Sequence, residues 1–222
     1  LCLYMGLAVA LQWTDGAFER PWTTEPDEAS HFLNGLMARD YFVSGMGEHP
    51  LRYAERYYAH YPRIALGHYP PLFATFEGAW FLAAPVSYAS ALVLLALLAS
   101  GIATTITWVC AQRLPFPLAF GSGVAWLLLP AVRRDTDTFM AEMLLTLMTV
   151  FAVIAFSRRS LQFGFWSGLA LLTKGSALAL ALLPPGAILL SRRWGAMRER
   201  WLWLSAAMGV AAGGSSIRAS IL

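Results

Sequence analysis

Charged side chains are scarce in this chain: they make up 13% of its 222 residues, whereas 58% of the residues are hydrophobic. A soluble domain carries about 25% charged residues, so this composition indicates an integral membrane protein. The formal net charge of +3 is small, and the arginines fall in short groups between apolar runs. That distribution suits loops beside anionic lipid, and it excludes nucleic acid as a partner.

Cysteine is also nearly absent, since only Cys2 and Cys110 occur and both lie within apolar runs. A disulfide framework needs several paired cysteines, and a zinc site needs cysteines and histidines at close spacing, so neither is available here. We therefore predict no metal ligands and no cofactor. A divalent cation is possible in a carboxylate-rich loop, because carboxylates are its usual ligands, but no motif indicates one.

The sequence instead contains several long apolar runs. A helix that crosses a bilayer needs about 20 such residues, and the runs in residues 86–218 are predicted to form spans two to seven. Residues 161–190 are too long for one span and are interrupted at Lys174 and Gly175, so we predict two short helices joined there. Residues 1–13 supply the outer half of a first span. The predicted fold is all-α, a polytopic transmembrane helix bundle, with residues 1–222 as a single truncated domain.

The distribution of arginine orients this bundle. Short connections rich in arginine face the cytoplasm, and three such connections carry seven arginines, with Glu199 as the one acid among them. The segment 71–84 must then lie in the membrane interface without crossing, which its short length and Glu77 favour. Residues 14–84 become a large first extracytoplasmic loop with juxtamembrane helices. The arginines concerned are Arg113, Arg158, Arg159, Arg192, Arg193, Arg198 and Arg200.

The outer loop holds most of the ionisable side chains of the chain. Eight of the thirteen acidic residues lie in its first part, residues 14–71, together with all four histidines. Its second half is rich in tyrosine and arginine, which is typical of a segment at the level of the lipid headgroups. We expect any site for chemistry to lie in this loop. The eight acids are Asp15, Glu19, Glu25, Asp27, Glu28, Asp40, Glu48 and Glu55.

The stretch TEPDEASHFLNG in this loop allows two interpretations. Thr24 followed three residues later by Asp27, with Pro26 between them, is the pattern of a helix start closed by a capping box. The same carboxylates, held outside the bilayer in a partly desolvated cavity, would instead be basic enough for catalysis. His31 lies one turn after Asp27 and is spaced to orient it. The residues alone leave both interpretations open.

Four motifs carry a family resemblance: EPDEASHFLNGLMARD, HYPPLF, RRDTDTFMAEMLLTL and GLALLTKGSALALALLP, in this order and spacing. They resemble the amino-terminal half of the C-type membrane glycosyltransferases. Within these the chain is similar to the bacterial branch with protein O-mannosyltransferases, lipid A aminoarabinose transferases and lipopolysaccharide galacturonosyltransferases. The likeness runs from Trp13 to Pro185.

The resemblance implies an enzyme of the inner (plasma) membrane with several spans and an extracytoplasmic active site. Such an enzyme moves a sugar from a polyprenyl-phosphate donor to a hydroxyl of a lipid, glycan or protein acceptor, with inversion. The family's Asp-Glu pair falls on Asp27 and Glu28, and we expect Asp27 to be the base. A second catalytic acid matches Asp137, with Asp135 as the close alternative.

A leaving phosphate needs cations, and we expect Lys174, Arg133 and Arg134 to supply them on the same side of the membrane. The Lys-Gly motif of the family matches Lys174 without change. The family often has a basic residue directly before its Pro-Pro turn, where this chain has Tyr69, with His68 one residue earlier. Simpler roles stay open, since Lys174 could snorkel at a helix end and Asp137 could cap a span.

Two other functions stay open. A transporter also holds ionisable groups in the membrane, usually at mid-bilayer on broken helices and with an internal repeat. Glu142 is the one acid inside a predicted span, and the sequence shows no repeat. The second alternative is a non-catalytic fragment of such a transferase.

Overall fold

A computed structural model describes residues 1–20, 25–64, 67–192 and 194–221, and their regular structure is entirely helical. The predicted all-α class is confirmed. Thr24 and Arg193, both named in the sequence analysis, lie outside the described residues. The α-helices are α1 (Cys2–Thr14), α2 (Pro26–Asp40), α3 (Pro50–His60), α4 (Pro71–Ala83), α5 (Tyr88–Cys110), α6 (Phe116–Leu127), α7 (Pro130–Asp137), α8 (Glu142–Ser157), α9 (Gln162–Thr173), α10 (Leu183–Ser191) and α11 (Arg200–Ile221).

Helix α5 is the one helix among the described residues that is by itself long and apolar enough to cross a membrane. Ser87 caps it by accepting a hydrogen bond from the Ser90 backbone N–H at 3.1 Å. Helices α6 and α7 reach such a length only as a pair bent by 59°. Pro130 begins α7 and cannot continue α6, because it lacks the N–H that the preceding helix needs.

The predicted spans are thus longer than the helices that form. The apolar run after Arg113, which is predicted as one span, forms two helices, α6 and α7. Helix α8 has 16 residues, fewer than the about 20 that a span needs. Helix α7 carries Arg133, Arg134, Asp135 and Asp137 in only eight residues, a charge density that a bilayer core does not accept.

The chain divides into two compact units, Leu1–Leu66 with Phe73–Met143, and Gly67–Leu72 with Leu144–Leu222. In the first unit α1 packs on α5, α6 and α7. The Tyr4 hydroxyl shares a hydrogen bond with Thr107 Oγ1 at 2.5 Å and donates to the Phe120 carbonyl at 2.9 Å. Gly123 makes room for it, since a Cβ atom there would lie 2.4 Å from this hydroxyl.

Gln12 ties three helices of the first unit together. Its side chain is fully buried, and its Nε2 donates to the Leu92 carbonyl of α5 at 2.9 Å and to the Thr136 carbonyl of α7 at 2.8 Å. A buried amide that satisfies two carbonyls fixes the position of both helix segments relative to α1.

Helices α2 and α4 pack through glycines. A Cβ atom at Gly35 would lie 2.1 Å from Glu77 Cδ, and one at Gly78 would lie 2.8 Å from the Ala38 Cβ. Glu77 is fully buried in this contact. The helix predicted for residues 71–84 is present, whereas the membrane-interface position of that helix stays a prediction.

The second unit is built on a close contact between α9 and α11. Gly164 and Gly168 are spaced four residues apart on α9, as are Ser205 and Gly209 on α11. A Cβ atom at Gly164 would lie 2.2 Å from the Ser205 carbonyl oxygen, so only glycine permits this approach. Small residues at this spacing are the usual means by which apolar helices pack closely.

The predicted break at Lys174 is confirmed. Helix α9 ends at Thr173, and Lys174 is extended, with φ −157° and ψ 139°. The prediction of two simple helices needs one correction, because the chain continues as a 3₁₀ segment, Gly175–Leu182, before α10 begins. The 3₁₀ segment presents Ala177 and Leu180 to the core of this unit.

Candidate active site

The first turn of α2 holds the predicted acid pair. The helix begins at Pro26 with Glu25 as its N-cap, and the Glu25 side chain makes no capping hydrogen bond. Asp27 is the second residue of the helix, whereas the acid of a capping box is the third. The predicted capping box also needs Thr24, which lies outside the described residues. Two acids near a helix N-terminus are still favourable, because the helix dipole is positive there.

Asp27 and Glu28 have different surroundings. Glu28 is fully buried, and its Oε1 accepts hydrogen bonds from the Phe139 backbone N–H at 2.6 Å and from the Tyr88 hydroxyl at 3.2 Å. Asp27 is partly exposed. Adjacent helical residues point about 100° apart, so only one of the two acids can enter the protein interior.

Asp15 and Arg133 form the second part of the site. Asp15 follows the last turn of α1. Arg133 of α7 donates to its carboxylate through Nε, 2.9 Å from Oδ2, and through Nη2, which binds Oδ1. Arg20 donates to the Asp15 carbonyl at 2.8 Å. This two-pronged arginine contact is the strongest geometry that an exposed or half-buried ion pair adopts.

Asp137 lies one helical turn after Arg133 and is 5% exposed. The residue before it, Thr136, is held in place because its backbone carbonyl accepts a hydrogen bond from Gln12 Nε2. Burial raises the pKa of Asp137 to about 7, and the Asp15 carboxylate adds to this rise. A carboxyl group that is half protonated near neutrality can both donate and accept a proton.

These residues meet although they are distant in sequence. The structure brings Glu28, Asp137 and Arg133 into one cluster, together with Asp15, Arg20 and Tyr88. We call this set the carboxylate cluster. Its members come from the end of α1 and the segment after it, and from α2, α5 and α7.

Other predicted residues of this unit have further contacts. Arg134 is 78% exposed and pairs with Asp135 at 3.4 Å. His31 is buried with its ring edge-on to Phe73 at 5.3 Å between centroids. Whether His31 orients Asp27 stays a prediction.

The second unit holds the remaining predicted phosphate ligands. Lys174 is partly buried at the start of the 3₁₀ segment, and His68 and Tyr69 stack edge to face at 4.8 Å. Ser176, two residues after Lys174 in the chain, contributes to an open cavity of about 420 Å³. The cavity is lined by Leu145, Thr149, Ser176, Ala177, Ala179, Leu180, Leu182 and Leu183.

The sequence analysis missed three members of the carboxylate cluster and the glutamine beside it. Asp15 was counted only among the acids of the loop, and Arg20 and Tyr88 were not singled out. Gln12 carried a usable signal, because an amide in an apolar run must find partners when it is buried.

No group of three or more His, Cys, Asp or Glu side chains is placed to hold a metal ion within the described ranges. The absence of metal and cofactor stays a prediction.

Comparison of the chain with protein-family models, with curated proteins and with solved structures gives no match.

Proposed function

We propose that this chain forms the acid–base site of a membrane glycosyltransferase that takes its sugar from a polyprenyl-phosphate donor. The acceptor is a hydroxyl group at the extracytoplasmic face of the membrane. The four motifs that resemble C-type glycosyltransferases support the reaction class, and the carboxylate cluster supplies groups that this reaction needs.

One observation carries the proposal. The Phe139 backbone N–H donates to Glu28 at 2.6 Å, and this bond joins the EPDEASHFLNG motif to the RRDTDTFMAEM motif. The two motifs are separate in sequence and each holds one of the acids that the resemblance makes catalytic. An active site requires such acids to be neighbours, whereas two unrelated helix caps do not.

The roles follow from burial and charge. Asp27, which is partly exposed beside the buried Glu28, accepts the proton of the acceptor hydroxyl as its oxygen attacks the anomeric carbon. The bond from that carbon to the phosphate oxygen breaks, and the phosphate leaves with the electron pair. Attack opposite the leaving group inverts the configuration. Glu28 anchors α2 through its two hydrogen bonds.

Asp137 is the second acid of the site. Because its pKa is raised to about 7, it can hold a proton and donate a hydrogen bond to an oxygen of the sugar or the phosphate. We propose Arg133 and Arg134 as the cations that the first unit supplies for the phosphate. Lys174, His68 and Tyr69 belong to the second unit, and their contact with the phosphate stays a prediction from the sequence. Arg133 already binds Asp15, so it contributes positive charge and a fixed position.

The membrane arrangement is part of the proposal. In the proposed arrangement α5 is a span with the carboxylate cluster at its outer end, and the polytopic bundle stays a prediction from the apolar runs. A polyprenyl tail stays in the bilayer and holds the anomeric carbon at the outer surface, so the base must lie there as well. The partners are this donor, the lipid, glycan or protein acceptor, and membrane lipids.

The test is transfer of label. Membranes that contain the complete protein are incubated with a panel of radiolabelled polyprenyl-phosphate sugars, and with the matching nucleotide sugars as controls. We expect transfer from one lipid-linked donor only, and loss of transfer in Asp27→Asn. Uptake of label into sealed vesicles without covalent transfer would favour the transporter. Absence of transfer from every lipid-linked donor would favour the non-catalytic alternative.

A further inference from the structure

Glu77 of α4 is a buried carboxyl group that the proposed reaction does not use. Its side chain is fully buried, and neither of its two oxygens has a hydrogen-bond partner among the described residues. An ionised carboxylate in such a place costs far more free energy than a neutral carboxylic acid, because it has lost its water and gained no donor. The packed chain therefore holds Glu77 in its protonated form.

Aromatic side chains lie on either side of Glu77 along α4. Phe73 and Phe81 lie four residues before and after it, so all three side chains leave the same face of the helix. Both rings are buried and meet α2 edge to face, Phe73 at the His31 ring and Phe81 at the Phe32 ring, each with 5.3 Å between centroids. The carboxyl group thus lies within an aromatic contact between the two helices.

Helix α2 covers this carboxyl group directly. A Cβ atom at Gly35 would lie 2.1 Å from Glu77 Cδ and 2.2 Å from Oε2, so a larger residue there would displace the acid. Gly78, the next residue of α4, comes similarly close, since a Cβ atom there would lie 2.8 Å from the Arg39 backbone nitrogen. A movement of α2 away from α4 is therefore the change that uncovers Glu77.

Glu77 has no charged partner on the neighbouring elements within the described ranges. It is the one titratable residue of α4, and burial alone raises its pKa, without a contribution from a nearby charge. The nearest acids and bases of α2 are bound elsewhere, as Arg39 is to Asp40 and Glu28 is to the Phe139 backbone N–H. The titratable residues around α4 are Asp27, Glu28, His31, Arg39 and Asp40 on α2, Tyr88 in the first turn of α5, and Asp137 at the end of α7.

We propose that Glu77 is a positioning residue for the acid pair of α2: its neutral form holds α2 against α4, and its ionisation releases α2. The inference rests on the function proposed above. Asp27 and Glu28 lie about two helical turns before Gly35, and Glu28 is tied to the Phe139 backbone N–H. Without the contact at Gly35, α2 is held only at its first turn, and Asp27 loses its fixed position.

The direction of the pH effect follows from burial, which raises the pKa of Glu77 well above 4.5. Below the folded pKa the acid is neutral and α2 stays in place, and as the pH rises through that pKa α2 is released. If transfer requires this one proton, the ratio of native transfer to transfer by Glu77→Gln falls about tenfold for each pH unit above the folded pKa. The ratio removes the pH dependence of Asp27 and Asp137, which both chains share.

The first measurement needs no substrate. Spin labels are attached at Ser30 of α2 and Ala79 of α4, neither of which is buried, in a background without Cys2 and Cys110. The complete protein is placed in lipid nanodiscs, and electron paramagnetic resonance gives the distance between the labels as the pH is raised from 4.5. We expect one short distance at low pH, and a longer one that grows as the infrared band of a buried protonated carboxyl group is lost. In Glu77→Gln the longer distance should not appear.

The second measurement follows transfer over the same pH range, with the panel of radiolabelled polyprenyl-phosphate sugars described above. Glu55→Gln, which removes an exposed carboxylate of α3, should keep the native profile. Glu77→Met puts an unbranched apolar side chain of similar size in the same place, so it should keep α2 in position at every pH even if Glu77→Gln does not fold. Circular dichroism checks the fold of each variant.

The outcomes separate the two proposals. A distance that stays short until the whole chain unfolds, or that lengthens equally in Glu77→Gln and Glu77→Met, would overturn the role of Glu77. A distance that behaves as expected, with no transfer at any pH, would keep Glu77 as the residue that holds α2 and reject the proposed function. Where transfer occurs, a ratio of native to variant transfer that is constant with pH would show that Glu77 does not position the acid pair.

Discussion

Gly164 of α9 and Ser205 of α11 touch backbone to backbone, so that a Cβ atom at position 164 would lie 2.2 Å from the Ser205 carbonyl oxygen. The obstacle is main chain, which cannot rotate away as the end of a side chain can. The contact fixes how closely the two helices of the second unit approach.

Gly164→Ala should destabilise the protein by about 1–3 kcal/mol, because the helices must separate to admit one methyl group. The control is Gly186→Ala in α10, where a Cβ atom meets nothing within 4 Å. That exchange should be neutral or stabilising by up to about 1 kcal/mol, because alanine favours helix. Thermal unfolding in detergent compares the two. Equal melting temperatures would show that α9 and α11 do not pack as described.

Asp27→Asn and Glu28→Gln should separate turnover from stability. Asp27 is partly exposed, so its replacement should leave the melting temperature nearly unchanged while transfer falls roughly 10²-fold or more, since the base is lost. Glu28→Gln weakens the bonds from Phe139 and Tyr88, and should cost about 1 kcal/mol of stability with a smaller loss of transfer. If Glu28→Gln abolishes transfer and Asp27→Asn retains it, the roles within the pair are reversed.

Glu77→Gln should remove a pH dependence of stability. Burial raises the pKa of Glu77 well above its ordinary value of 4.5, so the folded chain keeps a proton that the unfolded chain loses. This contribution is fully present below pH 4.5 and is lost as the pH rises toward the folded pKa. The native melting temperature should therefore fall more steeply than that of Glu77→Gln as the pH rises above 4.5. Parallel curves would mean that Glu77 is ionised and paired.

Lys174→Gln should weaken donor binding by about 1.5–3 kcal/mol, the usual worth of a hydrogen bond to a charged group, whereas Lys174→Arg should be partly tolerated. Apparent donor affinity is measured for both variants in the transfer assay at matched expression. Unchanged affinity in Lys174→Gln would leave Arg133 and Arg134 as the phosphate ligands and would return Lys174 to a snorkelling role.

Cysteine labelling tests the orientation in the membrane. Ser44 and Ser191 are both exposed, and each is replaced by cysteine in a background with Cys2→Ser and Cys110→Ser. An impermeant thiol reagent on intact cells should modify position 44 only, because the arginine distribution places it outside. Modification at position 191 in intact cells would invert the proposed topology.

The sequence predicted the helical class and the break at Lys174, because composition and a charge within an apolar run are local signals. It overestimated span lengths, since hydropathy alone does not show that Pro130 starts a new helix at an angle of 59°. The carboxylate cluster was found in part: Glu28 and Asp137 came from motifs. Asp15 and Tyr88 join them through contacts between distant segments, which no local pattern records.

Gln12 gives the first unit a mechanical property. Its two amide hydrogens are both committed, one to α5 and one to α7, so turning α1 about its axis would break both bonds together. Helices α1, α5 and α7 are thus coupled through one side chain. Asp15 follows α1, Tyr88 lies on α5 and Asp137 lies on α7, so the carboxylate cluster is held where these three helices are tied together, and α2 joins it through Glu28.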